Sequence, residues 1–213
     1  RFAFSRIYEI MCPNSVIKYR STGYIEDLEK VTEENLYEYY KELLTNNEID
    51  IFIIGNIDVK QMEKIIADNF NIDSIKHEQL AHIVKQDDFR TEPRVIKENK
   101  NINQSILILG SKLKDITEFE RKYVLVLYNY ILGGSADSKL FKEVREKNSL
   151  CYSISSTHSG IANLEFISAG IDKENYDKAV ELIKAEIKNM EDGNFTEEDI
   201  NQAKITFLAS LKE

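Results

Sequence analysis

The order in which two hydrophobic periodicities follow one another is what most limits the folds open to this chain. After Pro93, residues 94–96 and 102–109 read as strands rich in β-branched and aliphatic side chains. Thr117 with Glu120 then predicts a capping box, opening a helix through Leu132 that carries Tyr123, Val124, Leu127, Tyr128 and Ile131. Gly133-Gly134 breaks the pattern, and a second helix runs to about Lys147 with Leu140, Phe141 and Val144 on its apolar face. Two strands follow, near 152–157 and 163–171. A long helix comes next, with Tyr176, Ala179, Val180, Ile183, Ile187 and Met190 inward, stopped by Gly193. Thr196 caps a last helix with Ile200, Ala203, Phe207, Leu208 and Leu211.

The earlier half reads differently. Residues 1–12 have roughly helical spacing and end at Pro13. Thr32 caps a helix whose apolar face is Leu36, Tyr39, Tyr40, Leu43 and Leu44. Residues 49–54 read as a β-branched strand ending at Gly55. Asp58, with Gln61 three residues on, opens a helix with a buried stripe of Val59, Met62, Ile65, Ile66 and Phe70. The polar, unperiodic stretch that closes at Pro93 reads as a linker. These orders suggest the back of one α/β unit, residues 1–72, a linker over 73–93, and the front of a related unit, residues 94–213. The chain reads as a fragment of a longer protein.

Charge and composition exclude several functions. A net charge of −9 argues against nucleic acid as a partner, because phosphate binding needs clustered Lys and Arg. There is no apolar run of membrane-spanning length and no signal peptide, so no membrane partner is expected. The two cysteines, Cys12 and Cys151, lie far apart and suggest no disulfide framework. A reducing cytoplasm is the expected setting.

Candidate chemistry is sparse. Of three histidines, His77 and His82 are five apart, which would turn them about 140° from each other on a helix instead of onto one metal. His158 stands alone before Ser159-Gly160, in what reads as a turn. Cys151 reads as a small buried hydrophobe, and Cys12 has no catalytic context. Gly133-Gly134-Ser135 lacks phosphate-loop spacing and follows a helix, where phosphate loops follow a strand. It reads as a flexible turn between helices. No residue set could hold a catalytic metal. Arg145 and Tyr152 remain: they straddle a helix-to-strand junction that can aim a guanidinium and a phenol at one carbonyl or oxyanion. Neither can perform the attack itself.

The run Leu-Gly-Gly-x-x-x-Ser-x-Leu-Phe-x-x-Val-Arg-Glu-x-x-x-Leu-x-Tyr-Ser, from Leu132 to Ser153, resembles the second-domain signature of pitrilysin-type zinc metalloproteases. These are the inverzincins, which include insulin-degrading enzyme and the mitochondrial processing peptidase. Gly23 to Thr32 and the Gly-Asn-Ile-Asp-Val run to Val59 resemble the later half of the family's first domain. The pattern is most similar to small bacterial members, some of which are non-catalytic partners of an active subunit. The resemblance implies an α+β fold: parts of two related metallopeptidase-like domains, each a β-sheet packed with α-helices. It implies a peptide substrate, and a homologous peptidase subunit or a second copy as partner. In active members, zinc is held by His-x-x-Glu-His and a downstream glutamate in the first domain. The second domain lends an arginine and a tyrosine to the substrate, and Arg145 and Tyr152 occupy those positions. No His-x-x-Glu-His occurs between residues 1 and 213, so no zinc cofactor and no activity of this chain alone are expected. Either the motif precedes residue 1, or the parent is an inactive homologue.

Overall fold

The structure is a computed structural model that describes residues 2–47, 49–70, 89–90, 92–101 and 104–212. In chain order the helices are α1 (Phe2–Met11), α2 (Ile25–Leu28), α3 (Glu33–Asn46), α4 (Val59–Asn69), α5 (Leu125–Leu132), α6 (Tyr176–Glu191) and α7 (Glu197–Ser210). The strands are β1 (Ser105–Lys112), β2 (Cys151–Ser159) and β3 (Leu164–Ile171). Two wide, π-type helical stretches, Glu120–Val124 and Phe141–Lys147, lead into α5 and towards β2. Helices and a small antiparallel sheet together give the α+β class expected.

The chain divides into two compact units, Arg1–Tyr19 with Val84–Glu213, and Arg20–Ile83. In the first unit the strand order is β1-β3-β2, all antiparallel. β3 is central and is therefore buried along nearly its whole length. Side chains alternate across a strand, so β3 feeds two cores. On one face Ile167, Ala169 and Ile171 join Leu132, Leu140, Val144, Ile154, Ala179 and Ile183. On the other face, Leu164 and Phe166 pack against Phe4, Ile7, Tyr8 and Met11 of α1. The Phe166 ring meets Phe4 and Tyr8 edge-on, with centroids 6.0 and 5.0 Å apart, the arrangement aromatic quadrupoles favour. Residues 1–12, which periodicity places at the head of the chain's earlier half, thus cover the sheet of the later one. Their apolar stripe needs a partner, and Phe166 supplies it.

Gly133 is a tight fit, not a flexible turn. A Cβ there would stand 2.6 Å from the Ser156 backbone nitrogen, and Ser156 N–H donates to the Gly133 carbonyl at 3.1 Å. The end of α5 is therefore pinned directly to β2.

The second unit contains α2, α3 and α4. Thr32 forms a full capping box with Asn35, and the Asp58 side chain accepts the Gln61 N–H. The stripes expected to be buried are not: neither α3 nor α4 has a buried residue. Residues 49–54 form no ladder among the described residues, and Phe52 and Ile54 are 85% and 98% exposed. Residues 94–96 also form no strand. A β-rich sequence becomes a strand only beside another strand, and none lies beside either segment among the described residues. His77, His82 and most of the 73–93 linker lie outside the described residues.

Candidate functional site

Leu140 and Val144 bury one side of the helix that precedes β2, leaving Arg145 exposed on the other. The Arg145 guanidinium lies 4.5 Å from the centroid of the Phe141 ring, one turn back, which restrains an otherwise mobile side chain. The helix ends where Ser149 takes a left-handed φ of 53°. There the Ser149 and Leu150 N–H groups donate to the Arg145 and Val144 carbonyls, each at 3.0 Å. A non-glycine residue in that region is mildly strained, and here it turns the chain sharply into β2.

β2 opens with an irregularity. Cys151 pairs with Ile171 and Ser153 with Gly170, so Tyr152 is an extra residue in the ladder. Such a bulge re-aims a side chain. Cys151 and Ile154, three residues apart, both point into the core, while Tyr152 is 59% exposed. Its hydroxyl donates to the Asp172 carboxylate, 2.9 and 2.8 Å from the two oxygens. Burial pushes the Cys151 thiol pKa up, and the Arg145 charge partly opposes this. Arg145 is therefore close enough to the head of β2 for its charge to act on Cys151. The structure brings both candidates to one junction and links neither to the other by a hydrogen bond.

Sequence reasoning missed Asp172, because a carboxylate just after a strand carries no signal of its own. It also missed a polar cluster beneath α5. His158 lies in β2, not in a turn, and its Nδ1 is 3.3 Å from Asn129 Nδ2. Asn129 also donates to the Leu125 carbonyl at 2.9 Å. Burial lowers the His158 pKa. Glu165, paired in register with His158, is 9% exposed, and its Oε1 has no partner. Burial pushes its carboxyl up to about 7. A charged residue inside the run Leu-Glu-Phe-Ile was the available signal.

These donors do not fit a zinc centre. Among the described residues, no three His, Cys, Asp or Glu side chains are grouped so that they could hold a metal ion. His158 faces an amide, and among the described residues no second imidazole lies beside it. Among the same residues, no helix is long and apolar enough to cross a membrane.

Residues 30–207 match the family described as the peptidase M16 inactive domain. A Bacillus subtilis protein named "Probable inactive metalloprotease YmfF" is 29% identical over 216 residues, covering 100% of this chain and 50% of that protein. A second from the same species, "Uncharacterized zinc protease YmxG", is 28% identical over 93% of this chain and 47% of its own length. A conserved protein of Enterococcus faecalis has a crystal structure that superposes with a TM-score of 0.88 at 26% identity, covering 100% of this chain and 51% of that one. The chain spans about half the length of the curated relatives it matches. By the family match over most of its length, the chain belongs to the peptidase M16 inactive-domain family.

Proposed function

We propose that this chain supplies the peptide-binding half of a pitrilysin-like metallopeptidase homologue, with Arg145 and Tyr152 holding the peptide and no zinc bound here. The observation that carries this reading is the junction itself. A strained turn and a bulge place a guanidinium and a phenol, both solvent-facing, at the head of one strand. Zinc chemistry belongs to active relatives, some of which are named zinc proteases. In such an enzyme the metal would supply an activated water, and this chain would only grip the substrate. The test is co-elution in size-exclusion chromatography with reduced, carboxymethylated α-lactalbumin, an unfolded polypeptide. Wild-type chain should co-elute, and an Arg145→Ala/Tyr152→Phe double variant should not. Equal co-elution of both would sink the reading.

A second reading is favoured by the exposed apolar faces of α3 and of residues 51–54. In it the chain is part of a non-catalytic subunit that pairs with an active homologous peptidase or with a second copy. Light scattering across a concentration range tests self-pairing, and a constant monomer mass counts against it. Both cysteines are buried without a disulfide, which suits the reducing cytoplasm we propose as its location.

A further inference from the structure

Asp172 stands at the N-cap of the single helical turn Lys173–Asn175, yet its side chain makes no capping bond there. Aspartate at that position ordinarily accepts a backbone N–H two or three residues on. Here both carboxylate oxygens face the Tyr152 hydroxyl instead. The same turn is tied to the approach to β2 a second time, because Asn175 Nδ2 donates to the Leu150 carbonyl at 3.2 Å. A local capping rule is broken, and the carboxylate is spent on gripping an exposed, bulged tyrosine. Broken local rules of this kind cluster at functional sites.

A phenol has one proton to give. With that proton directed at a carboxylate, the rest of Oη offers only lone pairs. The hydrogen bond to Asp172, with its negative charge, also raises the Tyr152 pKa, so the phenol stays neutral. Arg145 is the opposite kind of group, with five N–H donors and no acceptor. The two residues therefore present opposite hydrogen-bonding polarity to solvent.

We infer that Tyr152 accepts a hydrogen bond from a peptide N–H while Arg145 donates to a peptide carbonyl, with Asp172 the positioning residue that takes the phenol proton and fixes this polarity. The inference rests on the peptide-binding reading above. It replaces a phenol that donates to the ligand by one that receives from it. The ligand it names is an extended backbone, whose free edge offers both carbonyls and N–H groups.

The test measures fluorescence anisotropy of a fluorescein-labelled decapeptide of alternating serine and valine, titrated with the full chain. Arg145→Ala and Tyr152→Phe should each weaken binding about five- to tenfold, the worth of one hydrogen bond. Asp172→Ala should weaken it by a similar factor. It should also lower the pH at which Tyr152 titrates in ¹³Cζ-tyrosine NMR, which reports that Asp172 holds the phenol proton, while the loss of binding and the N-methyl scan report its effect on the ligand. Single N-methylation along the peptide should reveal one amide whose loss weakens wild-type binding but not binding by Tyr152→Phe. If Tyr152 were instead a donor to the ligand, Asp172 would compete for its proton, and Asp172→Ala would bind more tightly. Tighter or unchanged binding by Asp172→Ala, or no N-methyl position that separates wild type from Tyr152→Phe, overturns the inference and leaves the peptide-binding reading standing. No binding by wild type, or full binding by both Arg145→Ala and Tyr152→Phe, overturns that reading and the inference with it.

Discussion

Replacing Glu165 by glutamine should stabilise the protein progressively above about pH 4.5, with the full gain reached at neutral pH and above. The Glu165 carboxyl lies on the core-facing side of β3, with Oε1 buried and unpaired. Burial moves its pKa from an ordinary 4.5 to about 7. The groups around it do not rescue the charge: Tyr128 is itself pushed up by burial and by Glu165, Glu191 is a further negative charge that acts on Tyr128, and His158 is held towards neutrality. Because the folded-state value is raised, the folded protein binds a proton that the unfolded chain releases above about 4.5. Stability from this group is therefore fully present below that pH, falls as pH rises, and levels off above about 7. The gap between the two values corresponds to ~3 kcal/mol at full extent. Glutamine keeps a neutral polar group of the same shape and abolishes the titration. Urea unfolding followed by far-UV circular dichroism, for wild type and Glu165→Gln between about pH 4 and 8, reads the difference directly. The two should nearly coincide at the acid end, with the variant ahead by ~2–3 kcal/mol at the alkaline end. Parallel pH profiles would refute the reasoning, because they would mean that Glu165 is charged and satisfied in the folded state.

Three further outcomes are expected. Phe166→Ala, which empties the space between α1 and the sheet, should cost ~3–5 kcal/mol in urea unfolding, and a loss under about 1 kcal/mol would show that α1 does not depend on that ring. Gly133→Ala should destabilise by at least ~1–2 kcal/mol, because its new methyl meets the Ser156 backbone and not a side chain that can move aside; thermal unfolding checks this. The Cys151 thiol should react with a disulfide reagent near neutral pH no faster than the protein opens, since burial raises its pKa; rapid labelling under native conditions would contradict the packing described.

Much of the fold was legible because its signals are local. Thr32, Asp58, Thr117 and Thr196 each cap the helix their spacing predicts, and Gly193 stops α6 with a φ of 74°. The strands β2 and β3 fall within a few residues of expectation. What failed depends on distant partners. Residues 49–54 have the composition of a strand, but a ladder needs a neighbour that propensity does not report. α3 and α4 have the right stripes, and nothing among the described residues buries them. The helix-to-strand junction that carries Arg145 and Tyr152 was legible in the sequence. Asp172 was not, because its role arises only when β3 brings it alongside the bulge. The wide turns at Glu120–Val124 and Phe141–Lys147 likewise follow from packing, not from any one residue type.

The seat of α1 on the sheet has a consequence for how the chain folds. Roughly a hundred residues separate Met11 from Gly110, whose Cα it overlies, and closing a loop of that length costs ~4 kcal/mol of chain entropy. β2 and β3, joined by four residues, face almost no such cost. The hairpin and its helices can therefore assemble first and α1 can dock last, as a clasp over a sheet already formed. A clasp of this kind would leave Phe166 solvent-facing in any state where the first few residues have let go. Loss of α1 would then register as a new sticky surface well before the sheet itself came apart.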